Sequence, residues 1–382
     1  MRTWKLMEGE RQFMIALGVL VVLGLLFLSS ASAPLAYERF GNRSTYVLHQ
    51  LTSGILPGIA AFFCMRKVRT SFLQRAAIPL LVGSVALLVL IFVPGLGEAH
   101  QRTRSWLSLG PLTFQPAEIA KLGLILALAA WATVRRPEWF VLTSWWRGLV
   151  PFLLVFGTVA GLVAVQPDVG TMSILTAIAI GMAIASGLRW MHLGALVVGV
   201  VGVIGALIAA APYRLARLTV FLHPELDPRG IGYQVNQALL GIGSGGVFGV
   251  GLGHSRQKFS FLPEVISDSI FAIIAEEIGF LGSLAFIAVL VWVIALVLRR
   301  AMTATDAFER LVLVGIAAWW GSQSIVNIGA IIGLLPLTGL PLPFVSYGGT
   351  SMVVALAAAG IVAQVYARDR AGERVRGSWR RN

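Results

Sequence analysis

The apolar runs of this chain are too long and too numerous for its polar residues to cover. Ten stretches stand out, near 12–30, 47–65, 76–93, 116–134, 149–166, 170–187, 190–211, 267–298, 308–333 and 348–367. Crossing a hydrocarbon core about 30 Å thick takes roughly 20 helical residues. Membrane barrels instead use short strands of alternating polarity. These runs are continuous and rich in Leu, Ala, Val, Ile and Gly. Charged residues are only 12% of the chain, about half the density of a soluble domain. Lipid is therefore the solvent, and the expected fold is an all-α polytopic membrane protein of about ten transmembrane helices. Gln166-Pro167-Asp168-Val169-Gly170 splits one apolar stretch, because Pro and Gly favour a short turn there.

Ten spans put both termini on one side. Twenty Lys and Arg residues fall on that side and nine on the other, with Lys121 inside a span. The positive-inside rule then places both termini in the cytoplasm. The net charge of +13 is spread over short loops and a basic tail, 368–382. That pattern fits orientation and contact with anionic membrane lipid, not nucleic acid. Cys64 is the single cysteine, so no intrachain disulfide forms. A basic start, an apolar core at Met14–Leu28 and Ala31-Ser32-Ala33 imitate a cleaved secretory signal. An uncleaved first helix keeps the charge pattern intact.

No soluble domain, linker or internal repeat interrupts residues 1–382, which read as a single transmembrane domain. Its longest loop, 212–267, lies on the side opposite the termini. Tyr213, Phe221, Tyr233, Leu239 and Phe259 make that loop too apolar to be disordered. Short helices are expected near 214–222 and 230–241, followed by tight turns in the glycine-rich Gly241–Gly253 stretch.

Pro263 is a natural helix start, which puts Asp268 in the first turns of the eighth span, near the positive helix end. Such a carboxylate can take a proton from a hydroxyl. Alternatively, Glu264 and Asp268 only cap the helix. Glu118 and Lys121 share a helix face three residues apart. A charged pair in a span is a functional candidate or a structural ion pair. Asp168 either caps the sixth helix or lines a cavity. Glu276, two turns below Asp268, stays protonated or pairs internally.

Several motifs share a family. The run Ser255-Arg256-Gln257-Lys258-Phe259-x-Phe261-Leu262-Pro263-Glu264, with Asp268, Ile270-Phe271-Ala272, Glu276-Glu277 and Gly279-Phe280, resembles the loop-to-helix motif of the SEDS family, which includes FtsW, RodA and SpoVE. Trp106-Leu107, Leu109-Gly110-Pro111 and Phe114-Gln115-Pro116-x-Glu118-x-x-Lys121 are similar to a second family motif. Gln166-Pro167-Asp168-x-Gly170, Gly232-Tyr233-Gln234 with Gly243–Gly246, and Gly249-x-Gly251-x-Gly253 follow in family order. Pro336-x-Thr338-Gly339-x-Pro341-x-Pro343-Phe344-x-Ser346-Tyr347-Gly348-Gly349 resembles the signature before the last helix. Val265-Ile266-Ser267 and Ser269 depart from the usual neighbours of the Asp. The Ser-Arg-Gln-Lys run leans towards the FtsW branch over RodA.

The resemblance implies a glycosyltransferase of the bacterial cytoplasmic (inner) membrane that polymerises lipid II into peptidoglycan strands. It implies a class B penicillin-binding protein as partner, among other divisome or elongasome membrane proteins. Asp268 becomes the base, and the donor a glycan on undecaprenyl diphosphate, with inversion at the anomeric carbon. Substrate contacts are then expected from Glu264, Glu118, Lys121 and Asp168. Arg104, Arg214, Arg217 and Lys258 suit diphosphate oxygens. Ser346, Tyr347, Gly348 and Gly349 bind substrate only if they line a cavity. A divalent cation, Mg or Mn, is compatible with the diphosphate's charge, although no ligand cluster in the sequence specifies one. A lipid II flippase and a scaffold that recruits the transpeptidase are the competing readings. Polar motifs concentrated on the outer side favour the enzyme.

Overall fold

The computed structural model describes residues 2–100, 103–110, 112–134, 145–209, 219–223, 226–227 and 230–379. Helices form where the apolar runs predict them. They are α1 (Arg2–Phe40), α2 (Thr45–Gln50), α3 (Leu56–Lys67), α4 (Thr70–Leu90), α5 (Pro116–Val134), α6 (Val150–Val165), α7 (Val169–Ala185) and α8 (Trp190–Ala209). After them come α9 (Ile231–Gly245), α10 (Ile270–Thr303), α11 (Ala307–Ile331) and α12 (Gly349–Trp379). A π-helical turn, Leu51–Ile55, joins α2 to α3 into one span. Among the described residues, seven helices are long and apolar enough to cross a membrane, and three shorter apolar helices cover the fifth to seventh expected spans. Ala31-Ser32-Ala33 lies within continuous α1, with Ala31 and Ser32 fully buried.

Burial separates a centre from a rim. Of the spanning windows, 72% is buried in both α5 and α12, against 22% in α4. The long α12 packs on α3, α10 packs on α1, α9 and α11, and α11 also meets α5 and α7. Small residues allow the closest crossing, as expected where lipid gives no hydrophobic drive for helices to associate. A Cβ on Gly360 would sit 2.3 Å from the Phe62 carbonyl of α3.

At one end of the bundle, Arg66 pairs with Glu10 (2.8 Å), Thr70 donates to Glu309 (2.7 Å) and Gln364 donates to Thr70 (2.9 Å). Arg368 pairs with Glu309 and Asp306 there. The start of the first span, the α3–α4 and α10–α11 links and the end of the last span are thus tied together. These are the basic segments that the charge count assigns to the terminus side.

The opposite end departs from expectation in three ways. First, three strands form an antiparallel sheet, β1 (Gly97–His100), β2 (Thr103–Leu109) and β3 (Leu112–Phe114), in the order β1-β2-β3. Second, one of the two short helices expected in the long loop extends over Ile231–Gly245. The other is described only at 219–222, which is helical.

Third, α10 does not start at Pro263. It starts at Ile270, and residues 257–269 run as turns, so Asp268 precedes the helix. Glu264 adopts a left-handed φ of 51°, and its carbonyl accepts from the Ser267 and Ser269 amides (3.2 and 3.1 Å). The Ile266 carbonyl accepts from the Tyr347 amide (2.8 Å), and the Ser267 carbonyl accepts from Ser346 Oγ (2.5 Å). Acceptors that would extend the helix backwards are taken by another segment.

Lower in α10, Gly279 breaks the helix at φ 68° and ψ −170°. A break inside a span needs new partners for its backbone. The 246–251 stretch supplies them. Val250 and Gly251 amides donate to the Glu276 and Glu277 carbonyls (both 3.0 Å), and the Phe280 amide donates to the Gly246 carbonyl (2.9 Å).

A Cβ on Gly279 would lie 2.2 Å from the Gly249 amide nitrogen. Gly279→Ala is therefore expected to destabilise the fold by about 2–4 kcal/mol, combining left-handed strain with overpacking. Thermal unfolding in detergent checks this, and an unchanged midpoint would contradict it. Orientation is tested in a Cys64→Ser background. Asn42→Cys should react with an impermeant maleimide on intact cells, and Thr305→Cys only after permeabilisation. The reverse pattern would invert the topology.

Candidate active site

The end of α1, the π-helical turn, the sheet, the 258–267 turns and the start of α12 enclose a cavity of about 1150 Å³. Lys258, Glu264, Ser267, Tyr347, Gly348 and Gly349 are on its wall. Ser267 Oγ lies between two carboxylates, 2.8 Å from Glu264 Oε2 and 3.0 Å from Asp268 Oδ1. Glu264 and Asp268 are thus brought within reach of one hydroxyl. The left-handed Glu264 is the kind of local strain that the surrounding structure must hold in place.

What holds it is the signature before α12. Ser346 Oγ accepts from the Leu342 amide (2.8 Å) while donating to Ser267. Gln50 of α2 accepts from the Gly348 amide (3.0 Å). A Cβ on Gly349 would meet Ser53 Oγ at 3.0 Å. Ser346 is buried behind the wall and works as a clasp, whereas Tyr347, Gly348 and Gly349 reach the cavity.

Glu118 and Lys121 sit elsewhere. They form a fully enclosed ion pair of 2.8 Å, away from the cavity wall. Lys121 Nζ also donates to Gln323 Oε1 (2.9 Å) and lies over the Trp319 ring, 4.8 Å from its centroid. Gln323 Nε2 donates to the Pro341 carbonyl (2.7 Å). One turn on, Asn327 Nδ2 donates to the Asp268 carbonyl (2.8 Å) and to the Leu340 carbonyl (2.7 Å). The pair is therefore structural in its contacts, and it reaches Asp268 through α11.

Asp168 caps α7, accepting from the Thr171 amide (2.8 Å) and hydroxyl (2.7 Å). Burial pushes its carboxyl up, and those two bonds oppose the shift. Gly170 beside it packs on Thr338 and Leu340, so this turn braces the same loop.

Lys258 differs from its expected role. Its ammonium is committed to Glu277 (3.1 Å), Ser30 Oγ (3.0 Å) and the Gly253 carbonyl (2.7 Å). Glu276 is hydrogen-bonded within the protein. It accepts from the Arg256 amide (2.9 Å) and from the Ser255 and Ser244 hydroxyls. The two adjacent carboxylates thereby latch the 244–258 stretch onto α10. Arg104 lies on β2, paired with Ala99 of β1. Arg214 and Arg217 lie outside the described residues. Among the described residues no three His, Cys, Asp or Glu side chains group to hold a metal.

Sequence reasoning passed over Arg39, Tyr46, His49 and Ser53, which line the cavity, and over Gln323 and Asn327. For the last two a signal existed, since two amides one turn apart inside a span call for buried partners. His49 carried none that separates it from any polar residue near a helix end.

The chain matches the family described as "Cell cycle protein", FTSW_RODA_SPOVE, over residues 10–371. It is 38% identical to "Stage V sporulation protein E" of Bacillus subtilis (strain 168), across 91% of this chain and 94% of that protein. It is 34% identical to "Probable peptidoglycan glycosyltransferase FtsW" of Trichlorobacter lovleyi, across 96% and 95%. A solved chain described under "Structural coordination of polymerization and crosslinking by a peptidoglycan synthase complex" superposes with a TM-score of 0.76 at 30% identity, covering 94% of this chain and 97% of that one. With the apolar helices, the carboxylate loop and the clasp in the order the motifs require, this chain is a multi-pass membrane protein belonging to the FtsW/RodA/SpoVE family.

Proposed function

We propose that the protein is a peptidoglycan glycosyltransferase, polymerising lipid II at the extracytoplasmic face of the bacterial cytoplasmic membrane beside a class B penicillin-binding protein. The observation that carries this reading is Glu264 and Ser267 on a cavity wall, with Asp268 joined to the same Ser267 hydroxyl and the loop held by buried contacts. The relatives' names and the similar synthase chain support it.

In this reading Asp268 takes the proton from the acceptor sugar's hydroxyl as that oxygen bonds the donor's anomeric carbon. The carbon–oxygen bond to the diphosphate breaks, and the polyprenyl diphosphate leaves with the electron pair. An α-linked donor and a β-linked product require attack from the face opposite the leaving group. Glu264, sharing Ser267 with Asp268, orients the acceptor. A carrier that moves lipid across the bilayer needs accessible polar groups through the membrane depth. Here Glu118, Lys121, Glu276 and Glu277 are all about 1% exposed or less and engaged in ion pairs or hydrogen bonds within the protein, which favours the enzyme.

Asp268→Asn is expected to insert and fold normally but to lose at least about 100-fold in polymerisation, the usual scale for a general base. Lipid II polymerisation by purified protein with its transpeptidase measures this. Full activity in the variant would sink the assignment. Omitting the transpeptidase should lower the rate of the wild-type protein, and equal rates with and without it would remove the partner from the proposal.

A further inference from the structure

The cavity needs a group for the anionic end of its substrate, and Lys258 is already taken. Among the described residues, the cationic or imidazole side chains left on the wall are Arg39 and His49. Arg39, in the last turn of α1, donates through one Nη to Tyr46 Oη (3.3 Å), leaving the rest of its guanidinium. His49 Nδ1 is 2.7 Å from Tyr347 Oη; Ser53 Oγ, 3.1 Å from Nδ1, donates its hydrogen to the His49 carbonyl instead. Burial, reinforced by neighbouring Tyr46, pushes the Tyr347 phenol up to about 12, so it keeps its proton and donates it. Nδ1 is then the acceptor, which places the imidazole hydrogen on Nε2.

The backbone around His49 is built for this placement. The π-helical turn that follows it is a form concentrated at functional sites. Hydroxyls of Thr52 and Ser53 turn back onto the Leu48 and His49 carbonyls (2.9 and 2.6 Å) and satisfy the loosened turn. Gln50 ties the same turn to the Ser346 carbonyl and the Gly348 amide. Tyr347 therefore bridges two walls, with its amide on Ile266 of the carboxylate loop and its phenol on His49.

We propose that Arg39 and His49 form the diphosphate-binding subsite of this cavity, with Tyr347 fixing the imidazole so that Nε2–H faces the ligand. The polyprenyl identity of that diphosphate rests on the function proposed above. In that setting Tyr347 joins the leaving-group subsite to the loop that carries Glu264 and Asp268. A sugar ring then lies between base and leaving group, as inversion requires.

Binding of undecaprenyl diphosphate to the purified full chain, without turnover, tests the subsite, with undecaprenol as the phosphate-free control. His49→Ala is expected to weaken diphosphate binding about tenfold or more, the scale of a hydrogen bond to a charged group. It should leave undecaprenol binding and the thermal midpoint unchanged. His49→Gln, which keeps a side-chain donor, should recover part of the loss, and Tyr347→Phe should fall between. Wild-type affinity for the diphosphate in His49→Ala would overturn the subsite. If the binding losses appear while the wild-type protein makes no glycan with its partner, the subsite stands and the polymerase reading falls.

Discussion

The site depends on two carbonyls being captured from outside their own helix. Ile266 and Ser267 would ordinarily accept bonds from the first turn of α10, extending it through Asp268. The Tyr347 amide and the Ser346 hydroxyl take them instead. That exchange costs α10 its first turn and leaves Asp268 outside the helix, beside a cavity. It also explains the chemistry of the Ser-Tyr-Gly-Gly run. Ser346 supplies a hydroxyl that both donates and accepts, Tyr347 reaches across to His49, and Gly349 admits the π-helical turn.

Buried charge is what makes the clasp rigid. An ion pair in an apolar interior gains little net stability, but removing one partner costs about 3–5 kcal/mol because the other is left uncompensated. Such pairs therefore fix geometry more than they add stability. Glu118–Lys121 fixes Gln323, and through α11 the Asn327 amide on Asp268. Lys258–Glu277 and the bonds of Glu276 fix the turns that lead to Glu264. Two separate ionic anchors converge on one short loop from opposite directions.

The spans were legible because lipid leaves a helix no alternative for its backbone, so a continuous apolar run determines both state and length. The turn at Asp168 was legible because Pro167 and an N-cap acid act locally. What failed was non-local. Pro263 is a sound helix start by its own propensity, and only residues some 80 positions later override it. The ion pair of Lys258, a candidate diphosphate contact by sequence, was not legible either, because Glu277 comes close only once the glycine-rich stretch folds back on the break at Gly279. The sheet went unread because its strands are short, and its pairing is interrupted by a bulge near Glu98. His49 is separated from Tyr347 by 298 positions, and nothing near it in sequence marks the pairing.

These misses share a direction. Apart from the sheet, each concerns a contact made by the 244–269 stretch or the 336–349 signature, the two segments that carry most of the family motifs. The motifs are therefore read best as two halves of one interface, not as separate lists of substrate ligands. Residues committed to bonds within the protein, such as Ser346, Lys258 and Glu276, set where the loop lies. Glu264, Ser267 and Tyr347 reach the cavity wall, where substrate would meet them while the first set holds the loop in place. A substitution in the first group should disturb every substrate contact together. One in the second should disturb a single contact, and that contrast separates scaffold from chemistry within a motif that sequence alone presents as uniform.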